Sequence, residues 1–444
     1  MLSTWGTRLA EWVPAGDLRR LVVVRGLRSL TQGYVMVVFT IYLSQIGFSA
    51  WLIGLTLTIV GATSSVLTLI IGVSSDRFGR RSFLLVYSFL LLASGIIFSL
   101  TTLPWILIGI SALGGLGRGG GGGGQAGAFS PAEQAMIAEK ASGDGRRKVF
   151  AANSVVGTSM AAVGALLAGI PELLRSTDHL SLVASYRPLF FGVALVGLVS
   201  IVLLWPITDE KRVPAPVQRN AAARARRSQT RQRISQIAIA GSINGFGMGF
   251  IASLVPYWMH IRYGVSPGAI GPVMSLSSAL TAIASLYAVR LAARFGDIMV
   301  ITGSRLAGVV LTLALPFSPL YPLAAILYGV RMISSQMAMP VRQSYTMGII
   351  DAGSRGSAAG ISGVARRLPA SASPTISGYW FGAGELELPF IASAACLLLN
   401  AGLYFWWFRD IHPDEELAIV PPAVSAERTT LEAARGAASK TSSD

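Results

Sequence analysis

The chain has 444 residues, 52% of them hydrophobic and only 13% charged, with a formal net charge of +15. Soluble domains carry roughly 25% charged residues, so this composition excludes an ordinary soluble globule, a disordered chain and a soluble enzyme with one membrane anchor. Twelve crossings at about twenty apolar residues each need about 240 residues, which the hydrophobic half of the chain supplies.

Apolar runs divided by turn residues predict twelve membrane helices. In chain order the first six cover 21–45, 51–73, 82–102, 105–130, 149–170 and 187–206. The second six cover 234–259, 268–291, 298–316, 322–346, 356–382 and 388–408. The expected organisation is an N-terminal segment 1–20, a six-helix bundle 21–206, a basic linker 207–233, a second six-helix bundle 234–408 and a polar tail 409–444. The fold class is therefore all-α and polytopic, with two bundles around a central cleft. Two prolines and eight basic residues argue against a compact domain in the linker. Arg8, Arg19 and Arg20 precede the first apolar run without a small-residue cleavage site, so no removable signal peptide is expected.

The location of the positive charge gives its meaning. Loops and span ends on the side of the termini and linker hold 26 Lys and Arg, those on the opposite side hold three (Arg175, Arg187, Arg262), and seven lie deeper within spans. That bias places both termini and the linker in the cytoplasm of a multi-pass cell-membrane protein. It also turns the basic surplus toward anionic lipid headgroups and away from nucleic acid. The one cysteine, Cys396, excludes an intramolecular disulfide, and no cofactor or metal is expected.

The two halves share their punctuation. At a shift of 217, Gly47–Gly54 overlays Gly264–Gly271, and Arg77-Phe78-Gly79 overlays Arg294-Phe295-Gly296. At a shift of 209, Pro131-Ala-Glu-Gln134 meets Pro340-Val-Arg-Gln343, and Arg118 meets Arg331 at 213. Repeat-built carriers of this kind bind their cargo between the repeats. The run Gly72-Val-Ser-Ser-Asp76-Arg77-Phe-Gly79-Arg80-Arg81 resembles the loop motif between helices 2 and 3 of the major facilitator superfamily. Arg118 followed by Gln125 and Gly127 is similar to that superfamily's helix 4 motif, although the glycines 119–124 depart from it. Gly363-Val-Ala-Arg366-Arg367 with Pro374 and Gly378 resembles helix 11 of its drug and metabolite exporters. The resemblance implies alternating access by two rocking halves and names no substrate.

In the loop motif, Asp76 can accept hydrogen bonds from an opposing helix N-terminus, and Arg77, Arg80 and Arg81 can reach carboxylates or headgroups around the Gly79 turn. This predicts a gate that latches the cytoplasmic face; a turn whose charges only set topology is the competing reading.

A charge at membrane depth demands a reason. Arg25 and Arg28 are near enough to the cytoplasmic end to snorkel; Arg118, Arg305, Arg331, Arg366 and Arg367 are the other arginines within spans. They either bond to carbonyls and polar groups for bundle integrity or line the cleft for an anionic substrate. Arg118, Arg331 and Arg366 are the candidate basic contacts, with Gln32, Tyr34, Asn244 and Trp258 offering hydrogen bonds and aromatic faces. Glu133 is the carboxylate nearest a span, hence the candidate proton carrier, with a structural salt bridge as the rival role. Gly241, Gly245 and Gly249 recur at four-residue spacing and suit close helix contact.

The glycine tract matches a dinucleotide fingerprint trivially, with no strand before it, and no phosphate-binding loop or intramembrane catalytic set is present. The expectation is a monomeric secondary active exporter of a small organic compound, drug-like or metabolite and anionic by the charge inventory, working by alternating access in exchange for protons. An organic-anion uptake or exchange carrier is the alternative within transport; a non-transporting membrane receptor or scaffold is the alternative outside it.

Overall fold

The computed structural model describes residues 16–116, 129–140, 143–208, 223–349 and 355–409, and every regular element among them is helical. The first half contains α1 (Asp17–Gln45), α2 (Ala50–Phe78), α3 (Arg80–Leu100), α4 (Pro104–Gly114), α5 (Phe129–Lys140), α6 (Gly143–Leu166), α7 (Ile170–Asp178) and α8 (Leu182–Leu204). The second contains α9 (Ala223–Gly249), α10 (Val255–Tyr263), α11 (Pro267–Phe295), α12 (Asp297–Ala314), α13 (Tyr321–Met337), α14 (Met339–Gly348), α15 (Arg355–Gly382) and α16 (Leu388–Phe408).

Twelve spans arise because α4 and α5 belong to the fourth, α6 and α7 to the fifth, α9 and α10 to the seventh, and α13 and α14 to the tenth. Eight helices are long and apolar enough to cross a membrane by themselves. The fourth, seventh and tenth spans are divided into shorter pieces, and α15 carries three arginines and two internal prolines, Pro369 and Pro374.

Turn chemistry follows the repeat. Gly47 and Gly264 take φ of +96° and +67°, and Gly79 and Gly296 take +86° and +85°. These are left-handed conformations open to glycine at little cost. Ser49 caps α2 by accepting from the Leu52 amide at 3.3 Å, and Pro104 and Pro267 start α4 and α11, where a missing N–H costs nothing.

Helix ends differ from the apolar runs. The first span begins at Asp17 instead of 21, the fifth at Gly143 instead of 149, the sixth at Leu182 instead of 187, and the seventh at Ala223, inside the expected linker. Hydropathy marks where the hydrocarbon stops, whereas backbone hydrogen bonding continues into the headgroup layer. Arg19 is accordingly an exposed residue on the first turn of α1.

Within the halves α1 packs on α6, α3 on α8, α9 on α15 and α16, and α12 on α16. Of the three spaced glycines, Gly245 and Gly249 lie at close crossings and Gly241 at ordinary contact distance. A Cβ on Gly245 would lie 1.9 Å from the Arg366 carbonyl oxygen, one on Gly249 2.2 Å from that of Ala370, and one on Gly241 3.9 Å from the Arg366 Cβ.

Between the halves the joints are α2 with α15 and α6 with α11. A Cβ on Gly54 would fall 2.2 Å from the Pro374 carbonyl oxygen, and one on Gly271 2.3 Å from that of Ala165. Gly54 and Gly271 are mates at the shift of 217, and Ala165 and Pro374 stand 209 apart, so the two joints are copies of one contact. Both lie toward the end away from the linker, called here the far end. At the linker end α5 and α14 pack against elements of their own halves.

Many hydroxyls inside the helices bond to their own backbone one turn earlier. Thr56 donates to the Leu52 carbonyl at 2.7 Å, Ser65 to Gly61 at 2.7 Å, Ser88 to Leu84 at 2.8 Å and Ser200 to Val196 at 2.6 Å. Each donor is thereby satisfied within its own helix.

Overpacking a close contact costs about 1–3 kcal/mol. Gly245→Val therefore lowers the melting temperature of the purified protein clearly in a thermal-shift assay. Gly303→Ala, whose Cβ meets nothing within 4 Å, leaves it unchanged or raised.

Candidate functional site

Toward the linker end of the first half, Arg25 is 4% exposed and its Nη1 meets Oε2 of Glu133 on α5 at 3.3 Å. It is buried inward and does not snorkel, because a carboxylate at its own depth replaces the headgroup water. One turn on, the Arg28 guanidinium carbon stands 3.9 Å above the Phe129 ring. Glu133 is 1% exposed with Asn153 of α6 beside it, and its Oε1 has no hydrogen-bond partner among the described residues. Two guanidinium groups thus share one carboxylate.

Among the described residues of the second half, the carboxylates Asp297, Glu385 and Glu387 stand at helix ends while several arginines lie within helices. Arg305 of α12 donates to Oδ1 of Asn400 on α16 and lies over the Tyr404 ring, 4.8 Å from its centroid. Asn400 in turn donates to the Ala240 carbonyl at 2.5 Å. Arg342 of α14 has the Met339 thioether at 2.7 Å. Arg366 and Arg367 on α15 diverge: Arg367 reaches Oγ1 of Thr68 on α2 at 3.5 Å, across the halves. Arg366 has no hydrogen bond among the described residues.

Three expected substrate contacts are sealed inside the bundles in this conformation. Arg331 is 1% exposed and donates from Nε to the Thr312 hydroxyl at 2.9 Å. Tyr34 is buried and donates to the Leu189 carbonyl at 2.9 Å. Trp258 is fully buried, edge-on to Phe390 with centroids 4.8 Å apart. The Arg331 and Tyr34 donors and the Trp258 ring are taken up by the walls, while the Trp258 indole N–H has no hydrogen-bond partner among the described residues. Gln32 and Asn244 are partly exposed on α1 and α9. Arg118 and the glycines 119–124 lie outside the described residues.

Of the loop motif, Asp76 and Arg77 fall in the last turn of α2, and Gly79 makes the turn into α3. Arg80 donates to Oε2 of Glu139 at 2.6 Å and to the Ala135 carbonyl at 2.8 Å. Arg81 donates to the Trp205 carbonyl. Both tie α3 to other helices of the first half, and Lys140 with Asp17 at 2.7 Å ties α5 to α1.

The far end is joined across the halves. Ser266, the N-cap of α11, donates to Oε2 of Glu172 on α7 at 2.5 Å. Gly268 lies so close that a Cβ there would sit 2.5 Å from the same oxygen. The Glu172 carboxylate therefore faces the α11 N-terminus, where the helix dipole favours a negative charge. Thr375 of α15 donates from Oγ1 to the Thr58 hydroxyl at 2.7 Å. Sequence reasoning missed Glu172, Arg342 and the Thr58–Thr375 pair. Arg342 was within reach, since it is the repeat mate of Glu133.

A sequence profile of the Major Facilitator Superfamily matches the chain in two consecutive blocks, 21–236 and 237–437. An uncharacterized membrane protein of Saccharomyces cerevisiae is 21% identical over 418 residues, 87% of this chain and 92% of that one. The solved structure of the nucleoside transporter NupG superposes with a TM-score of 0.65 at 12% identity, covering 89% of this chain and 100% of that chain. A bacterial homolog to the human lysosomal transporter Spinster, in an inward-facing and occupied conformation, gives 0.65 at 15% identity over 89% and 96%. A D-xylose-proton symporter gives 0.63 at 16% identity over 88% and 98%. At these identities the structures speak to fold alone.

Two outcomes follow from the geometry. Removing one partner of a buried pair costs about 3–5 kcal/mol and replacing both by apolar groups recovers much of it, so Arg25→Met melts well below wild type and Arg25→Met/Glu133→Leu melts above that single variant. Glu172→Ala releases the far end, and spin labels at Leu180 and Ile261 then gain a longer-distance population in pulsed dipolar spectra.

Proposed function

The chain belongs to the major facilitator superfamily, a family of multi-pass membrane transporters of small molecules, and on that premise we propose that it exports a small organic anion by alternating access. The observation that carries this reading is Arg366: a largely enclosed guanidinium on α15, free of hydrogen bonds among the described residues. An arginine at membrane depth is held there by a partner or a water-filled cavity. A carboxylate or phosphate on the cargo supplies that partner, with Gln32 and Asn244 as neutral contacts for its body.

The basic-residue asymmetry supports a cytoplasmic placement of the termini and linker. The far end is then extracellular, and the conformation described, joined at that end, is the one that loads from the cytoplasm. Glu133 is the carboxylate buried at membrane depth in the first half, and protonating it would free Arg25. This supports proton exchange through Glu133 as the coupling step. Asp76 acts in the opposite state, closing the linker end against a helix of the second half.

Counterflow of labelled organic anions in proteoliposomes tests the reading. Arg366→Gln is expected to insert normally and to lower exchange at least tenfold; unchanged exchange of every anion would overturn it. Asp76→Asn inserts normally and slows transport, and wild-type rates there would remove the latch. Glu133→Gln abolishes accumulation driven by a pH gradient while leaving counterflow measurable.

A further inference from the structure

We propose that the N-terminal extension of α9 is a binding site for anionic lipid headgroups, formed by Arg224, Arg227 and Arg231 as one stripe along the outer side of that helix. The inference goes beyond the carrier reading and does not rest on it, since a lipid bound here is not cargo.

The first ground is the length of the helix. α9 starts at Ala223, whereas its apolar run starts at 234, so the positions before Ile234 carry the helix about 16 Å beyond the hydrocarbon. Asn400 of α16 fixes the level. It donates to the Ala240 carbonyl, and the antiparallel α16 brings Trp406, 67% exposed, level with about position 234. An exposed tryptophan at the end of a span marks the membrane–water interface. Arg231 then lies in the headgroup layer and Arg224 about 10 Å farther out. An anionic surface potential decays over about 8–10 Å, so all three arginines fall within its reach.

The second ground is register. Ile239, Ser235 and Arg231 are exposed, Ala240 is buried, and Arg233 is held inward by donating from Nη1 to the Ile349 carbonyl at 2.7 Å. Positions 239, 235 and 231 recur every four residues and share one side of the helix, and positions 227 and 224 continue that line. Arg226, seven residues before Arg233, falls on the inward line instead. The side of the span that gives Ile239 to lipid chains therefore becomes basic where the headgroups begin, and one helix face matches both parts of a single lipid.

The third ground is local charge. From Lys211 to Gly296 the sequence holds no Asp or Glu, so the stripe gains no neutralising pair three or four residues away on its own helix. A phosphodiester at headgroup depth supplies that charge at the level where the arginines stand.

Native mass spectrometry of the full chain in a neutral detergent, titrated with phosphatidylglycerol or phosphatidylcholine of equal chain length, reads both affinities. Phosphatidylglycerol should bind at least tenfold more tightly, with a preference that shrinks as salt rises. A basic residue near an anionic surface is worth about fivefold in binding, so Arg224→Gln/Arg227→Gln/Arg231→Gln should lose at least tenfold in affinity for it. Arg290→Gln/Arg294→Gln, at two exposed arginines near the end of α11, should change it less than twofold. Arg227→Gln/Gln229→Arg keeps the net charge, moves one arginine to the opposite side of the helix and should weaken binding at least threefold. Equal binding of the two lipids, an unaffected triple variant, or wild-type affinity in the charge-conserving swap would overturn the proposal. A phosphatidylglycerol preference that emerges only in Asp414→Asn/Glu415→Gln/Glu416→Gln would assign the stripe to the acidic tail, and displacement of the lipid by single-stranded RNA at physiological ionic strength would assign it to nucleic acid. Either result removes the lipid as occupant.

Discussion

The two halves of this protein touch where side chains are missing. Within a bilayer, helices gain little from hydrophobic contact, because lipid tails are as apolar as leucine, and association rests on close van der Waals approach. Gly54 against Pro374 and Gly271 against Ala165 supply that approach twice. They are the same contact written once in each copy of the repeat, so the halves are joined about an internal two-fold. Where the glycines stand decides which end is closed, and through that, which face of the cleft the buried arginines can meet.

Charge breaks the symmetry that the glycines keep. Among the described residues the first half pairs Arg25 with Glu133, whereas in the second Arg305 is held by Asn400 and the Tyr404 ring. A duplicated scaffold with unlike halves gives a stable frame on one side and a demanding electrostatic environment on the other. Arg366 and Arg367 embody the link between them. Arg366 has no hydrogen bond among the described residues and Arg367 reaches Thr68 of the opposite half, so whatever binds the first sits one residue from a contact between the halves.

The fold was legible because the signals that report it are local and repeated: apolar runs, glycine turns at matching offsets, and the loop motif around Gly79. The glycine spacing at 241, 245 and 249 also predicted a close helix crossing. The site was legible only in part. Counting arginines located unusual charge, but sequence distance does not tell which of them find partners. Arg25 pairs with Glu133 over 108 residues, and Arg331, Tyr34 and Trp258 turn inward onto Thr312, Leu189 and Phe390. Glu172 was invisible because its role depends on the N-terminus of α11 arriving from the other half. Helix lengths were misjudged for a simpler reason: α9 begins at Ala223 in a basic stretch that no hydropathy scale assigns to a span.

The hydroxyl groups along the helices carry a mechanical consequence. Thr56, Ser65, Ser88 and Ser200 each spend their proton on a carbonyl of their own helix. A helix can therefore be rich in serine and threonine without being bolted to its neighbours. Where α2 slides along α15, few polar bonds need to break and re-form, and the enthalpy of the contact changes little with register. The exceptions, Thr58 with Thr375, Thr68 with Arg367 and Ser266 with Glu172, then act as detents on an otherwise low-friction bearing, holding one position until something outbids them.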